Sequence, residues 1–241
     1  MSAAHHVVPP RRSTLFVLAG GKGSRLEALT GLTPKGLWGE GFEPPLSRVV
    51  RFAEESALFD RAFVVAPADQ VEAFDAWASG FRLPVGVIPK CSARPRGVDD
   101  VLWAFESLPP SAITVAHADT WFESDPFGGW SESLSALEVA GGTEIVPRGA
   151  ASAILRAPEK SLISYEKNLA TSPYRQQPGR WPGMWRVSAE LRLRFSNQLA
   201  EPFVESLIDA MSRRAQWRIV STGRFVNLNT PDHVSALRQE F

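Results

Sequence analysis

From Ser13 onward, short apolar runs rich in β-branched residues alternate with stretches whose apolar positions recur every three or four residues. Residues 15–18, 62–66, 85–88 and 113–116 have the length and composition of buried strands. Between them, residues 45–58 place Val49, Val50, Phe52 and Ala53 on one helical stripe. Residues 69–79 do the same with Val71, Phe74 and Ala78, and residues 99–108 with Val101, Leu102 and Phe105. Strand then helix, repeated, predicts βα units and a mostly parallel sheet. Beyond about residue 141 the rhythm changes. Residues 143–147, 152–156, 162–165 and 183–187 read as strands with little helix between them, and 171–183, rich in Pro, Gln, Arg and Gly, as a loop. A helix over 201–213, strands over 217–221 and 225–228 and a last helix from Pro231 complete the expectation. Residues 1–12 are small, polar and Pro-containing and read as a flexible tail, which leaves 13–241 as a single domain.

Composition narrows the function classes. A chain of 241 residues, 44% hydrophobic, has enough apolar material for one large α/β core. Lys plus Arg and Asp plus Glu each number 26, so the formal charge is zero, with no basic stripe. That argues against nucleic acid as a partner. No apolar run reaches membrane-spanning length, and the first twelve residues lack the apolar core of a signal peptide. The single cysteine, Cys91, cannot form an internal disulfide, and a cytoplasmic location is the simplest expectation. Composition leaves homo-oligomer formation open.

The densest chemical signal follows the first strand: Leu18, Ala19, Gly20, Gly21, Lys22, Gly23, Ser24, Arg25, Leu26. A strand ending in glycines offers backbone N–H groups with no Cβ to obstruct a phosphate. Two familiar phosphate loops are excluded. The P-loop spacing would put its first glycine at Phe16 and a Ser or Thr at Gly23, and the dinucleotide fingerprint would need a glycine at Leu26.

Gly20, Gly21, Gly23, Arg25, Leu26, Leu29, Thr30, Pro34 and Lys35 together resemble the opening of the sugar-1-phosphate nucleotidyltransferases. That opening reads Gly-Gly-x-Gly-x-Arg-Leu-x-x-Leu-Thr, then Pro-Lys, and nine residues agree over the sixteen positions from Gly20 to Lys35. The resemblance implies a Rossmann-like α/β/α nucleotidyltransferase fold with a mixed, mostly parallel central sheet. It implies a nucleoside triphosphate and a phosphorylated sugar or sugar-like acceptor as partners, and Mg²⁺ as cofactor. Residues 18–23 would cradle the triphosphate, Arg25 would sit on it, and Lys35 would hold the phosphates being joined. Fixed cations there have a physical rationale, because two oxyanions must approach one another. Gly36 and Gly39 depart from the apolar residues usual after the Pro-Lys pair.

Further along, the run Ile113 to Ala116 leads through His117 and Ala118 to Asp119. Ligands in doubly wound sheets lie beyond the carboxyl ends of strands, so Asp119 should face the glycine loop. By the resemblance Asp119 binds Mg²⁺, although Ala118 stands where the family has glycine. His117 is read as a structural hydrogen-bonding residue. Gly97 matches the glycine against which the nucleobase lies, and Asp99 and Asp100 are first-turn residues favoured by the helix dipole. Glu166 and Lys167 resemble the acceptor-binding Glu-Lys pair, with Asn168 in place of the following proline, and Gly183 the glycine of the strand that closes over the sugar. Trp181 and Trp185 are read as core. Asn227 stands where the family has its second Mg²⁺ carboxylate, and the closing Asn-x-Asn-Thr-Pro is similar to the molybdopterin guanylyltransferases.

The expected reaction is Mg²⁺-dependent transfer of a nucleoside monophosphate to a sugar phosphate, through direct attack and without a protein nucleophile. Two alternatives are transfer to phosphocholine, a phosphonate or a molybdopterin, and a non-catalytic nucleotide-sugar-binding protein.

Overall fold

The computed structural model describes residues 13–21, 25–130, 136–156, 162–169, 174–195 and 201–241; the expected tail, Lys22 and Gly23 lie outside them. In chain order the elements are β1 (Ser13–Leu18), α1 (Glu27–Thr30), a 3₁₀ turn (Lys35–Leu37), α2 (Pro45–Ser56), β2 (Phe59–Ala66), α3 (Val71–Ala78), β3 (Val85–Pro89), α4 (Gly97–Ser107), β4 (Ile113–His117) and β5 (Thr120–Phe122). Then come β6 (Leu137–Pro147), β7 (Ala151–Leu155), β8 (Ile163–Lys167), β9 (Tyr174–Arg180), β10 (Trp185–Val187), α5 (Ala189–Phe195), α6 (Val204–Ser212), β11 (Trp217–Asn227) and α7 (Pro231–Glu240).

The strands form one mixed sheet in the order β3-β2-β1-β4-β10-β6-β9-β7-β8, with β11 beside β6 and β5 beside β11. β3, β2, β1 and β4 are mutually parallel, and β10 runs antiparallel between β4 and β6. Both faces are covered, as a parallel sheet requires. β1 shows why. Phe16 enters a core with Val101, Phe105, Trp185, Leu207 and Ile208, while Leu15 and Val17 enter another with Val49, Val50, Ala53 and Phe74. A third core, holding Trp38, Trp121, Leu228 and Leu237, seats α7. The chain leaves β1 toward β2 on one side and returns to β4 on the other, so β1 and β4 flank the switch point where α/β sheets bind ligands.

Three expectations are corrected. The supposed loop 171–183 contains β9, which pairs antiparallel with β6. Its Pro178 and Gly179 fall at a register shift and Gly179 has φ +68°, so Pro and Gly mark a bulge here. The two runs near the C-terminus are one strand, β11, with an irregularity between Ser221 and Arg224 where Gly223 has φ +72°. β5 and α5 were not anticipated, and β6 begins at Leu137, before its glycine pair.

Candidate functional site

The end of β1 and the start of α4 wall a cavity of about 460 Å³. Leu18, Ala19, Gly20 and Gly21 line it opposite Gly97, with Lys35 and Gly36 on the floor and Phe203 to Glu205 at the start of α6. The strand end is pinned on both sides: the Ala19 N–H donates to Val65 O at 2.9 Å, and the Ala118 N–H to Leu18 O at 3.1 Å. Lys90, just past β3, also lines this cavity and pairs with Asp100, while its Nζ donates to Arg96 O at 3.0 Å. Asp100 lies in the first turn of α4, as expected, and is in addition a buried counter-ion to Lys90 and Arg94. Burial raises its pKa, and the Lys90 and Arg94 cations oppose that rise. Asp99 does act at the helix start, accepting from the Arg96 N–H at 2.8 Å.

A second cavity, of about 490 Å³, lies on the far side of β4. It is lined by Arg25, Glu144, residues 149–153, Tyr165, Trp181, Gly183 and the closing segment Asn227, Asn229, Thr230 and His233. His117 and Asp119 line both cavities, so the two spaces meet there. Lys35 stands at that junction, with Nζ donating to Asp119 Oδ2 at 2.7 Å and to Asn229 Oδ1 at 2.9 Å. Burial by itself would raise the Asp119 pKa. The Lys35 ammonium and the His117 ring outweigh it and hold the carboxylate below its usual range.

Gly183 closes the second cavity and has to be glycine. Its φ is +75°, and a Cβ there would lie 2.6 Å from His117 Nδ1. The His117 ring meets Trp181 edge-on at 5.5 Å, and the His117 N–H donates to Gly183 O at 3.1 Å.

At the floor of this cavity Glu144, on β6, accepts from Asn227 Nδ2 at 2.6 Å and from the Ser152 hydroxyl. Burial pushes Glu144 up to about 7, against the pull of those two hydrogen bonds. His233, on α7, bonds through Nδ1 to the Thr230 hydroxyl at 2.7 Å. Burial, with Lys35 nearby, lowers its pKa to about 4.

Does this suit a divalent cation? Among the described residues no three His, Cys, Asp or Glu side chains form a metal-binding group. The second cavity instead offers the Asp119 carboxylate and the Asn227 amide oxygen. The Thr120 hydroxyl lies 2.8 Å from Pro182 O and 2.7 Å from Asn227 Oδ1, yet it has a single proton. One of those two oxygens is therefore left without a donor from Thr120. An all-oxygen set with few protein ligands fits Mg²⁺, which keeps waters and substrate phosphates around it.

Neither a family sequence profile nor a curated protein matches this chain. Solved structures do. The inositol-1-phosphate CTP transferase from T. maritima superposes with TM-score 0.66 at 12% identity, covering 92% of this chain and 91% of its own. The CTP:phosphocholine cytidylyltransferase LicC from Streptococcus pneumoniae gives 0.67 at 14%, covering 95% and 98%. A Bacillus anthracis protein provisionally named a glucose-1-phosphate thymidylyltransferase gives 0.70 at 14%, covering 95% and 96%. This chain has the nucleotidyltransferase fold. At such identities the likeness speaks for the fold alone.

Within that fold the structure brings Leu18, Ala19, Gly20, Gly21, Gly97, Lys35 and Asp119 to the first cavity, and Arg25, Asp119, Gly183 and Asn227 to the second. Arg25 thus lies on the side away from the glycine-lined cavity. Glu166 and Lys167 line neither; Glu166 is exposed and ion-paired to Arg180 at 3.4 Å, on the face of β8 opposite Tyr165. Sequence reasoning passed over Lys90, Glu144, Ser152, Tyr165 and His233. For Glu144 a signal existed: it is a lone carboxylate in an otherwise apolar strand end, Glu-Ile-Val-Pro. Trp185 is core, as expected, while buried Trp181 also walls the second cavity. No helix among the described residues is long and apolar enough to cross a membrane.

Proposed function

We propose that this chain transfers a nucleoside monophosphate from a nucleoside triphosphate to a phosphorylated sugar or sugar-like alcohol, releasing pyrophosphate. What carries the reading is the meeting of two cavities at Asp119, with Lys35 fixed at the junction. The triphosphate occupies the first cavity, its phosphates over the backbone of residues 18–21 and its base against Gly97. By the resemblance, Lys22 and Gly23 belong to the same phosphate cradle. The acceptor occupies the second cavity beneath Gly183.

Held this way, an acceptor phosphate oxygen attacks the α-phosphorus in line, and the bond from that phosphorus to the pyrophosphate oxygen breaks. Lys35 places its charge where negative charge is greatest in the transition state. Arg25, from its position in the second cavity, offsets the charge of the acceptor phosphate. Mg²⁺, bound through Asp119 and the amide oxygen of Asn227, would supply further neutralisation and polarise the phosphate. Glu166 and Lys167, outside the cavity lining, are left out of this assignment.

The test is pyrophosphate release from a matrix of the common nucleoside triphosphates against phosphorylated sugars, cyclitols and phosphocholine. Acceptor-dependent release with at least one sugar or cyclitol phosphate is expected. Nucleotide binding without release from any pair would leave a binding protein instead.

A further inference from the structure

The acidic residue to which the family resemblance points for the acceptor, Glu166, is exposed, ion-paired to Arg180 and absent from the cavity lining, whereas another acidic residue, Glu144, lines it. We propose that Glu144 reads the acceptor, accepting hydrogen bonds from a neighbouring pair of hydroxyls, and thereby selects phosphorylated polyols over acceptors poor in hydroxyls. This rests on the transfer reading above.

A glutamate side chain presents two oxygens, with about four lone-pair directions when ionised. Among the described residues one donor reaches each oxygen of Glu144: Asn227 Nδ2 donates to Oε1 at 2.6 Å, and the Ser152 hydroxyl donates to Oε2. Those two donors come from different strands, β11 and β7, and fix the plane of the carboxylate. Held in this way in the cavity lining, the side chain can accept from adjacent hydroxyls, which a polyol provides in pairs. The same contact gives Asn227 a reason to be an amide. An aspartate there would set a second carboxylate against Glu144, whereas the amide supplies the N–H that Glu144 accepts.

The rest of the lining agrees. Asn229, Thr230 and Ser152 are polar partners suited to hydroxyls. A quaternary ammonium is held by aromatic faces around the cation. Here the aromatic side chains are Trp181, which is 2% exposed, and Tyr165, whose hydroxyl is tied to Glu205 at 2.7 Å. They do not surround a cation.

The experiment measures pyrophosphate release by the full chain with Mg²⁺ and the best nucleoside triphosphate. Acceptors are glucose 1-phosphate, inositol 1-phosphate, phosphocholine and the monodeoxy analogues of whichever polyol phosphate turns over. The native chain is expected to prefer a polyol phosphate and to lose about tenfold or more in kcat/KM with analogues lacking either of two adjacent hydroxyls. Glu144→Gln, nearly the same size, should raise the acceptor KM by roughly tenfold to a hundredfold, leave the nucleotide KM and Tm near native, and discriminate much less against those same analogues. Ser152→Ala, which loosens the carboxylate without removing it, should fall between, and decides the matter should the Gln variant fold poorly. Preference for phosphocholine, or deoxy discrimination unchanged in both variants, would overturn the role of Glu144 while leaving nucleotidyl transfer intact. Absence of release with every acceptor would sink the transfer reading itself, and the role of Glu144 with it.

Discussion

Gly36, a departure just after the Pro-Lys pair, and Ala118, a departure just before Asp119, turn out to lie against each other. A Cβ on Gly36 would sit 3.2 Å from the Ala118 Cβ and 3.3 Å from its carbonyl oxygen. Alanine at 118 fills space that glycine at 36 leaves, so two apparent irregularities become one packing solution. Gly36 follows Lys35 in the same 3₁₀ turn, so crowding there would move the Lys35 ammonium off Asp119. Gly36→Ala should therefore lower turnover about tenfold, because small displacements of a positioned group are costly. Adding Ala118→Gly should restore part of it, and equal rates for the single and double variants would refute the pairing. Gly183→Ala has no such remedy. With φ at +75° and His117 Nδ1 at 2.6 Å from the added carbon, thermal or denaturant unfolding should show a loss of about 1–3 kcal/mol. A variant with native Tm would contradict the close approach.

At the scale of elements, α7 does more than cover the sheet. It carries His233 to the second cavity, where Lys35 and Arg25 lower its pKa while Asp232 and Asp119 oppose them, after the larger effect of burial. A histidine held at about 4 in the fold, against an ordinary 6.5, is neutral when native. Its contribution is complete above the unfolded value of 6.5 and is lost as pH falls toward 4. For His233 alone the loss is about 2 kcal/mol between pH 7 and pH 5, and Glu144, whose raised pKa makes the fold gain a proton over the same range, opposes it with a similar gain. His233→Asn should therefore leave stability rising by about 2 kcal/mol as pH falls from 7 to 5, roughly 5 °C in Tm, and a pH dependence unchanged from native would show that His233 does not titrate in this range.

Elements also explain what sequence could reveal. β1 to β4 and their helices were legible because burial on both faces makes their apolar periods unmistakable. β9 was not. Its Pro178 and Gly179 read as loop residues, yet β6 supplies pairing that tolerates them at a bulge. The same limit held within the site. The glycine loop and Asp119 are contiguous signals at a strand end. Glu144, Ser152 and His233 converge from β6, β7 and α7, and nothing local in the chain announces that convergence.

For the whole molecule, we propose that the two cavities on either side of β4 form one reaction site. The parallel half of the sheet presents the glycine-lined cavity, and the mostly antiparallel half presents the polar one. They touch where Lys35, at the start of the 3₁₀ turn, bridges Asp119 beyond β4 and Asn229 in the closing segment of the chain. A cation in that place contributes mainly to the transition state, because charge on the phosphates is greatest there. The most direct measurement is the rate of acceptor-dependent pyrophosphate release by Lys35→Ala at saturating nucleotide, acceptor and Mg²⁺, alongside circular dichroism. A fall of roughly a hundredfold or more with the spectrum unchanged is the predicted result, and a near-native rate would contradict a reaction site at this junction.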